Sequence, residues 1–276
     1  MAMVNRLRTP AALMGIILIV AALASAVGLF LGLFPTALPP SDMVLVPAGE
    51  FIMGSEEGSP DEQPVRRVYL KAFYIDQYPV TNAQYAQFLN AVEADLCEGH
   101  ICLDTQTENP DSHILYQQGR YAVEPGYERH PVTNVSWYGA QAYCRYYGKR
   151  LPTEAEWEKA ARGTDGQAYP WGDSFDPHRL NSDYRVGDTT PVGNYPAGVS
   201  PCGAYDMAGN VWEWVADWYQ AYPGSPYRSP FFGEKYKVVR GGSWNHPGSD
   251  ARTTRRDIAH PDRRIHVVGF RCAREP

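Results

Sequence analysis

The chain predicts an α+β domain with little regular secondary structure, preceded by one transmembrane helix. Three observations predict it. Two segments carry a capping box, one of them with apolar residues on one helical face, and a third starts at a serine and stops at a glycine. Several short pieces rich in Val, Ile, Phe and Tyr read as strands. Long stretches between the later pieces are rich in Gly, Pro, Asn and Asp and follow neither period. A length of 276 residues, 44% hydrophobic composition and a net charge of -6 support one sizeable core, and the acidic total argues against a nucleic-acid partner.

The first 41 residues differ in kind from the rest. Pro10 to Phe34 carries no charge, follows Arg6 and Arg8, and precedes the first acid, Asp42. As a helix it would rise about 37 Å, enough for a hydrocarbon layer of roughly 30 Å. A small-x-small site at "ASA", 24–26, would suit a cleaved signal peptide, but "VGLFLGLF" continues the apolar run beyond it. The expectation is a retained anchor in contact with membrane lipid: residues 1–9 cytoplasmic, 10–34 spanning, 35–42 ("PTALPPSD") a stiff stalk. Residues 43–276 would then be an extracytoplasmic domain, periplasmic or extracellular.

Within that domain, "VTNAQYAQFLNAV" pairs Thr81 as N-cap with Gln84 and places Tyr85, Phe88, Leu89 and Val92 on one face. "VSWYGAQAYCRYYG" starts at Ser136 and stops at Gly148. "LPTEAEWEKAARG" repeats the capping box at Thr153 and Glu156, with Gly163 after its last turn. "MVLVPAGEFIMG", "RRVYLKAFYIDQYPV", "KYKVVRGGSW" and "RIHVVGFRC" supply strands. The irregular remainder needs packed aromatics, disulfides or bound cations to hold it.

Of five cysteines, Cys97 and Cys102 enclose only "EGHI" and can close a small loop. Cys144 lies in a predicted helix and Cys272 in the last strand, which leaves Cys202 as the odd one, a small buried hydrophobe before a reactive thiol. In "CGAYDMAGNVWEWVADWY", a turn at Gly209 and Asn210 can aim Asp206 and Glu213 at one point. That arrangement suits calcium, although acids beside tryptophans also accept ordinary hydrogen bonds.

These pieces, with "HPVTNVSWYGAQAYCRYYGKRLPTEAEWEKAARG", "YPWGD", "VVRGGSWN" and "VGFRC", occur in one order over about 230 residues. Together they resemble the formylglycine-generating enzyme, or sulfatase-modifying factor, family. The resemblance implies a C-type-lectin-related fold, usually holding calcium. It also implies an activity: oxidation of a sulfatase cysteine to formylglycine with copper and oxygen, although other members are iron-dependent sulfoxide synthases, oxidoreductases or non-catalytic binding proteins. By that resemblance Asp206, Glu213 and the carbonyls of Gly209 and Val211 hold one calcium. Asn181, the Ser182 carbonyl and Asp188 hold a second in a segment that looks shorter than in the enzymes. Cys144 and Cys272 match a disulfide.

The catalytic loop departs from the pattern. In the formylglycine generators two cysteines five residues apart follow "GGS" and hold Cu(I); here His246 and Ala251 stand in their places. An imidazole and a methyl group cannot provide a dithiolate pair. Trp212, Ser243, Trp244, His246 and Arg255 remain as a candidate cleft without expected formylglycine-generating activity. The arginines at 240, 252, 255, 256, 263, 264 and 271 suit either an anion groove or structural pairs with Asp250, Asp257 and Asp262. The favoured expectation is a membrane-anchored binding or scaffolding subunit with membrane or exported protein partners. The alternative is an iron- or copper-dependent oxidoreductase with its site at His246, with His260 and His266 as further candidate nitrogen ligands.

Overall fold

A computed structural model describes residues 43–92 and 96–276, which fall in the unit Asp42–Pro276. Three helices and thirteen short strands are seen among them, in the order β1 (Met43–Val46), β2 (Gly49–Met53), β3 (Arg66–Leu70), β4 (Phe73–Asp76), α1 (Asn82–Val92), β5 (Leu96–Cys97), β6 (His100–Ile101), β7 (Ile114–Gln117), β8 (Arg120–Val123), α2 (Trp137–Tyr146), α3 (Glu154–Arg162), β9 (Trp212–Trp218), β10 (Lys237–Arg240), β11 (Arg256–Ala259), β12 (Val268–Phe270) and β13 (Ala273–Arg274). The α+β expectation for the domain stands.

The fold class loses its transmembrane part. Among the described residues no helix is long and apolar enough to cross a membrane. The expected span at 10–34, with 1–9 and 35–42, lies outside the described residues. Lipid contact, single-pass topology and an extracytoplasmic location are therefore not carried forward.

The helix starts obey their sequence signals. At α1 the Gln84 amide donates to Thr81 Oγ1 at 3.3 Å and the Thr81 amide donates to Gln84 Oε1 at 2.9 Å. At α3 the same exchange joins Thr153 and Glu156, at 2.8 and 3.2 Å. Ser136 caps α2 through the Gly139 amide, and Gly163 closes α3 at φ 68°, a left-handed conformation that glycine adopts without steric cost. Tyr85, Phe88 and Leu89 are buried as the α1 spacing requires, with Val92 half-buried beside them.

Two sheets frame the core. β1, β4 and β13 form an antiparallel sheet; in the other, β9 lies between antiparallel β10 and parallel β12, with β11 outside β10. Three hairpins, β2–β3, β5–β6 and β7–β8, complete the strands. One disulfide joins Cys97 to Cys102 and another joins Cys144 in α2 to Cys272, so neither pair is a free catalytic pair. Cys272 sits between β12 and β13 rather than within a strand. Cys202 is free, half-buried, and donates to the Ala160 carbonyl at 3.2 Å.

A further device holds the irregular chain together: arginines buried with carboxylates. Arg240 donates to Glu154 at 2.7 Å and Glu158 at 2.6 Å; Arg256 grips Glu154 with two nitrogens; Arg271 grips Glu213 with two nitrogens, both at 2.7 Å. Both Arg240 and Arg271 are fully buried. Charged groups persist in a core only when paired and hydrogen-bonded, as these are.

Candidate functional site

The loop after β10 turns sharply at Gly241 and Gly242, with φ of 101° and 75°. A Cβ on Gly241 would lie 3.1 Å from Trp157, and one on Gly242 would lie 3.0 Å from the Ala251 Cα. Glycine at both positions lets the loop fold back on itself and carries Ser243 inward, where it is 1% exposed.

Ser243 Oγ is 2.7 Å from His246 Nδ1 and 2.9 Å from Asn245 Oδ1. A serine hydroxyl has one proton. Given to Asn245, it leaves Oγ to accept from an Nδ1–H of His246, with the imidazole lone pair on Nε2. The Asn245 amide nitrogen lies 3.4 Å from His266 Nε2. Trp212, nearly buried, sets its ring edge-to-face with His246 at 5.6 Å, and Tyr184 does the same with Trp244 at 5.5 Å. Backbone bonds tie these segments together: Asp183 to the His246 carbonyl, Tyr184 to that of Trp244, and Trp244 to that of Asn210, at 2.8 to 3.0 Å.

The structure thus places Trp212, Ser243, Trp244 and His246 near one another. It does not bring Arg255 to them. That side chain donates to Ser59 Oγ at 3.0 Å and faces Asp250 at 3.4 Å. Asn245, His266 and Tyr184 are added; Asn245 was legible from its place in the loop, whereas the other two arrive from distant segments. His260 goes elsewhere, sharing Asp262 with His100.

The metal-dependent oxidoreductase is corrected on the donor set. His246 Nδ1 is hydrogen-bonded to Ser243, Ala251 carries no donor atom, His260 pairs with Asp262, and Asp250 faces Arg255. No group of three or more His, Cys, Asp or Glu residues suited to a metal ion is found among the described residues. Copper and iron are not carried forward.

Calcium is corrected as well. Both oxygens of Glu213 accept from Arg271, and Oε2 also accepts from Trp157 Nε1 at 2.8 Å. A guanidinium therefore supplies the positive charge the cation was expected to bring. Asp206 accepts from the Gly193 amide at 2.7 Å, so one of its oxygens already has a backbone partner. Gly209 serves the turn, its amide donating to the Gly241 carbonyl and a Cβ there lying 2.4 Å from the Asn181 carbonyl oxygen, and Val211 is a buried apolar residue. At the second position Asp188 accepts from Tyr127 Oη and the Thr189 amide, the Ser182 carbonyl accepts from the Arg185 amide at 3.1 Å, and only Asn181 Oδ1 lacks a partner. One orphaned amide oxygen is not a calcium site.

Comparison with known proteins agrees with the motifs. The family model for the sulfatase-modifying factor enzyme 1-like domain matches residues 33–276. "Serine/threonine-protein kinase Pkn1" of Chlamydia trachomatis is 41% identical over 244 residues, covering 85% of this chain; the chain spans only 38% of that relative's length. "Inactive C-alpha-formylglycine-generating enzyme 2" of Bos taurus is 36% identical, covering 84% of this chain and 87% of the relative. "Formylglycine-generating enzyme" of Thermomonospora curvata is also 36% identical, covering 85% and 93%. Identity alone does not separate an active from an inactive relative, so the loop residues must decide. The chain belongs to the sulfatase-modifying factor enzyme 1-like domain family.

Proposed function

We propose that this domain keeps the family's fold for recognition of a protein segment and does not convert cysteine to formylglycine. The observation that carries the reading is the Ser243–His246–Asn245 set. It fills, with hydrogen-bonded imidazole, hydroxyl and amide groups, the loop where the resemblance places two thiolates. A soft dithiolate site cannot be rebuilt from one imidazole and a buried methyl group. What remains is a surface suited to contact: the exposed Tyr184 ring against Trp244, with Trp212 and His246 behind. Aromatic side chains at such a surface add apolar area at low entropic cost. Fold alone does not determine function, and it is these particular residues that favour binding.

The test uses copper-treated protein, oxygen and a sulfatase-type cysteine peptide beside its serine counterpart. Mass spectrometry is expected to find no aldehyde, while tryptophan fluorescence reports binding of both peptides that weakens in Tyr184→Ala. Aldehyde that disappears in His246→Ala would overturn the reading. Absence of binding by either peptide would remove the recognition half of it.

A further inference from the structure

A second site lies at the other end of β9. Trp212, beside His246, and Trp218 are six residues apart on that strand, roughly 20 Å. Trp218 lines a cavity of about 340 Å³ with Arg66, Asp217, Tyr222, Glu234 and Arg256.

The charges around this cavity fall into two groups. Arg256 and Glu154 are spent on each other. Arg66 is not: its guanidinium lies over the Tyr222 ring at 4.7 Å, one terminal nitrogen contacts Met53 Sδ at 3.2 Å, and its Nε is buried with no acceptor. No carboxylate pairs with it among the described residues. Asp217 is likewise without a cation at bonding distance, accepting only the Glu154 amide at 2.7 Å, and Glu234 is exposed and unbonded. Two lysines near it in sequence are engaged elsewhere: Lys237 is held between the Trp137 and Trp218 rings at 3.9 and 3.8 Å and donates to the Ala216 carbonyl, and Lys235 lies over the Tyr236 ring at 5.3 Å.

An unpaired guanidinium and two unpaired carboxylates around one small cavity call for a ligand carrying both charges. A simple anion would meet Asp217 and Glu234; a simple amine would leave Arg66 unmatched. The geometry points to a binding site for a free α-amino acid with an apolar side chain. Its carboxylate bonds the Arg66 fork, its ammonium faces Asp217 and Glu234, and its side chain packs on Tyr222, Trp218 and Pro223. The volume sits at the low end of small-molecule sites. This proposal is independent of the loop at Ser243.

Affinity should depend on pH. Burial, then the neighbouring Glu154, raise the Asp217 carboxyl to about 6, with Lys237 and Arg256 acting the other way. Arg66 and Glu234 complete the charged groups lining its cavity. The ammonium partner needs the ionised form, so binding weakens as pH falls through that value.

Calorimetric titration of the full chain with L-leucine, L-methionine and L-phenylalanine tests the site, with 4-methylpentanoate and isopentylamine as singly charged counterparts of leucine. At least one amino acid should bind saturably, the two analogues about tenfold more weakly than leucine where leucine binds, and Arg66→Gln about tenfold more weakly than wild type. Glu234→Gln, exposed and remote from the core, should weaken amino-acid binding severalfold, and it keeps the test decisive if Arg66→Gln fails to fold. No saturable binding of the three up to about 10 mM, or analogues binding as tightly as leucine, would overturn the proposal. Wild-type affinity in a folded Arg66→Gln or in Glu234→Gln would do the same.

Discussion

Arg240 and Ser243 are three residues apart, yet they belong to regions built on different physics. Beneath β10, guanidinium groups are locked into carboxylates in the dry core: Arg240 with Glu154 and Glu158, Arg256 with Glu154, Arg271 with Glu213. Above it, the loop at 243–251 holds hydrogen bonds among buried Ser243 and half-buried Asn245 and His246. The difference separates what the fold cannot lose from what it can vary. A loop on a rigid, ion-paired floor can exchange its chemistry without disturbing the floor.

The comparison breaks first if the floor proves dispensable. Arg271→Ala leaves Glu213 buried with only the Trp157 indole as partner, and loss of one member of such a pair costs about 3–5 kcal/mol. Urea unfolding followed by circular dichroism should show that loss. A change under about 1 kcal/mol would mean that water or another cation replaces the guanidinium and that the floor is not rigid.

Next in size is the disulfide that ties α2 to the segment between β12 and β13, next to Arg271. Cys144 and Cys272 are 128 residues apart in sequence, and removing a link of that kind costs about 2–5 kcal/mol. Cys144→Ser with Cys272→Ser should lower stability in that range. Cys97 and Cys102 are only 5 residues apart in sequence, and their link should cost less to remove by the same argument.

A smaller and pH-dependent effect is expected at Asp217, which borders the floor through the Glu154 amide. Its folded carboxyl is raised to about 6, above the unfolded value, chiefly by burial. Sign follows from linkage: the folded state holds the proton more tightly, so the contribution favours folding below the unfolded value and is lost as pH rises through about 6. Asp217→Asn keeps an acceptor for Glu154 and removes the buried charge. It should stabilise the protein at pH 8 by on the order of 1 kcal/mol and have almost no effect near pH 4. Equal effects at both values would assign the change to packing.

Much of the fold was legible in local chemistry, and the pairing of the floor was not. Thr81 with Gln84 and Thr153 with Glu156 announce α1 and α3 because a capping box is complete within four residues. β9 carries no strand signal: "WEWVADW" buries its first four residues on both faces, which erases the alternation that marks a half-exposed strand. The arginines near the C-terminus were matched by proximity to Asp250, Asp257 and Asp262. Only Arg255 pairs with one of these, Asp250, whereas Arg240 finds Glu154 and Glu158 at separations of 86 and 82 residues, and Arg271 finds Glu213 at 58. Likewise the two-carboxylate spacing of Asp206 and Glu213 suggested a cation, because nothing local shows that Arg271 returns to claim Glu213. At the loop, Ser243 and His246 meet three residues apart, which sequence can suggest; His266 and Tyr184 reach the site only through tertiary packing.

The smallest expected effect sharpens the comparison at its other side. His246 contributes one hydrogen bond to Ser243 and a ring contact with Trp212, and its side chain is half-buried. A neutral hydrogen bond is worth about 0.5–1.5 kcal/mol net, and Ser243 keeps its bond to Asn245 when the imidazole is gone. His246→Ala should therefore lower stability by no more than about 1 kcal/mol. The amides of β9 and β10, which carry Glu213 and Arg240, should remain as protected from hydrogen exchange as in the parent. Replacing the two loop positions together, H246C with A251C, asks more. Ala251 is packed against Gly242, so a thiol there adds bulk in a tight place, yet the floor below does not depend on it. The doubly substituted protein should fold, lose about 1–3 kcal/mol, and gain Cu(I) binding in competition with a thiol chelator. Failure to fold would show that loop and floor are one unit. A folded protein that gains no copper affinity would show that 246 and 251 do not face each other, and that the register carried over from the formylglycine generators is wrong at this loop.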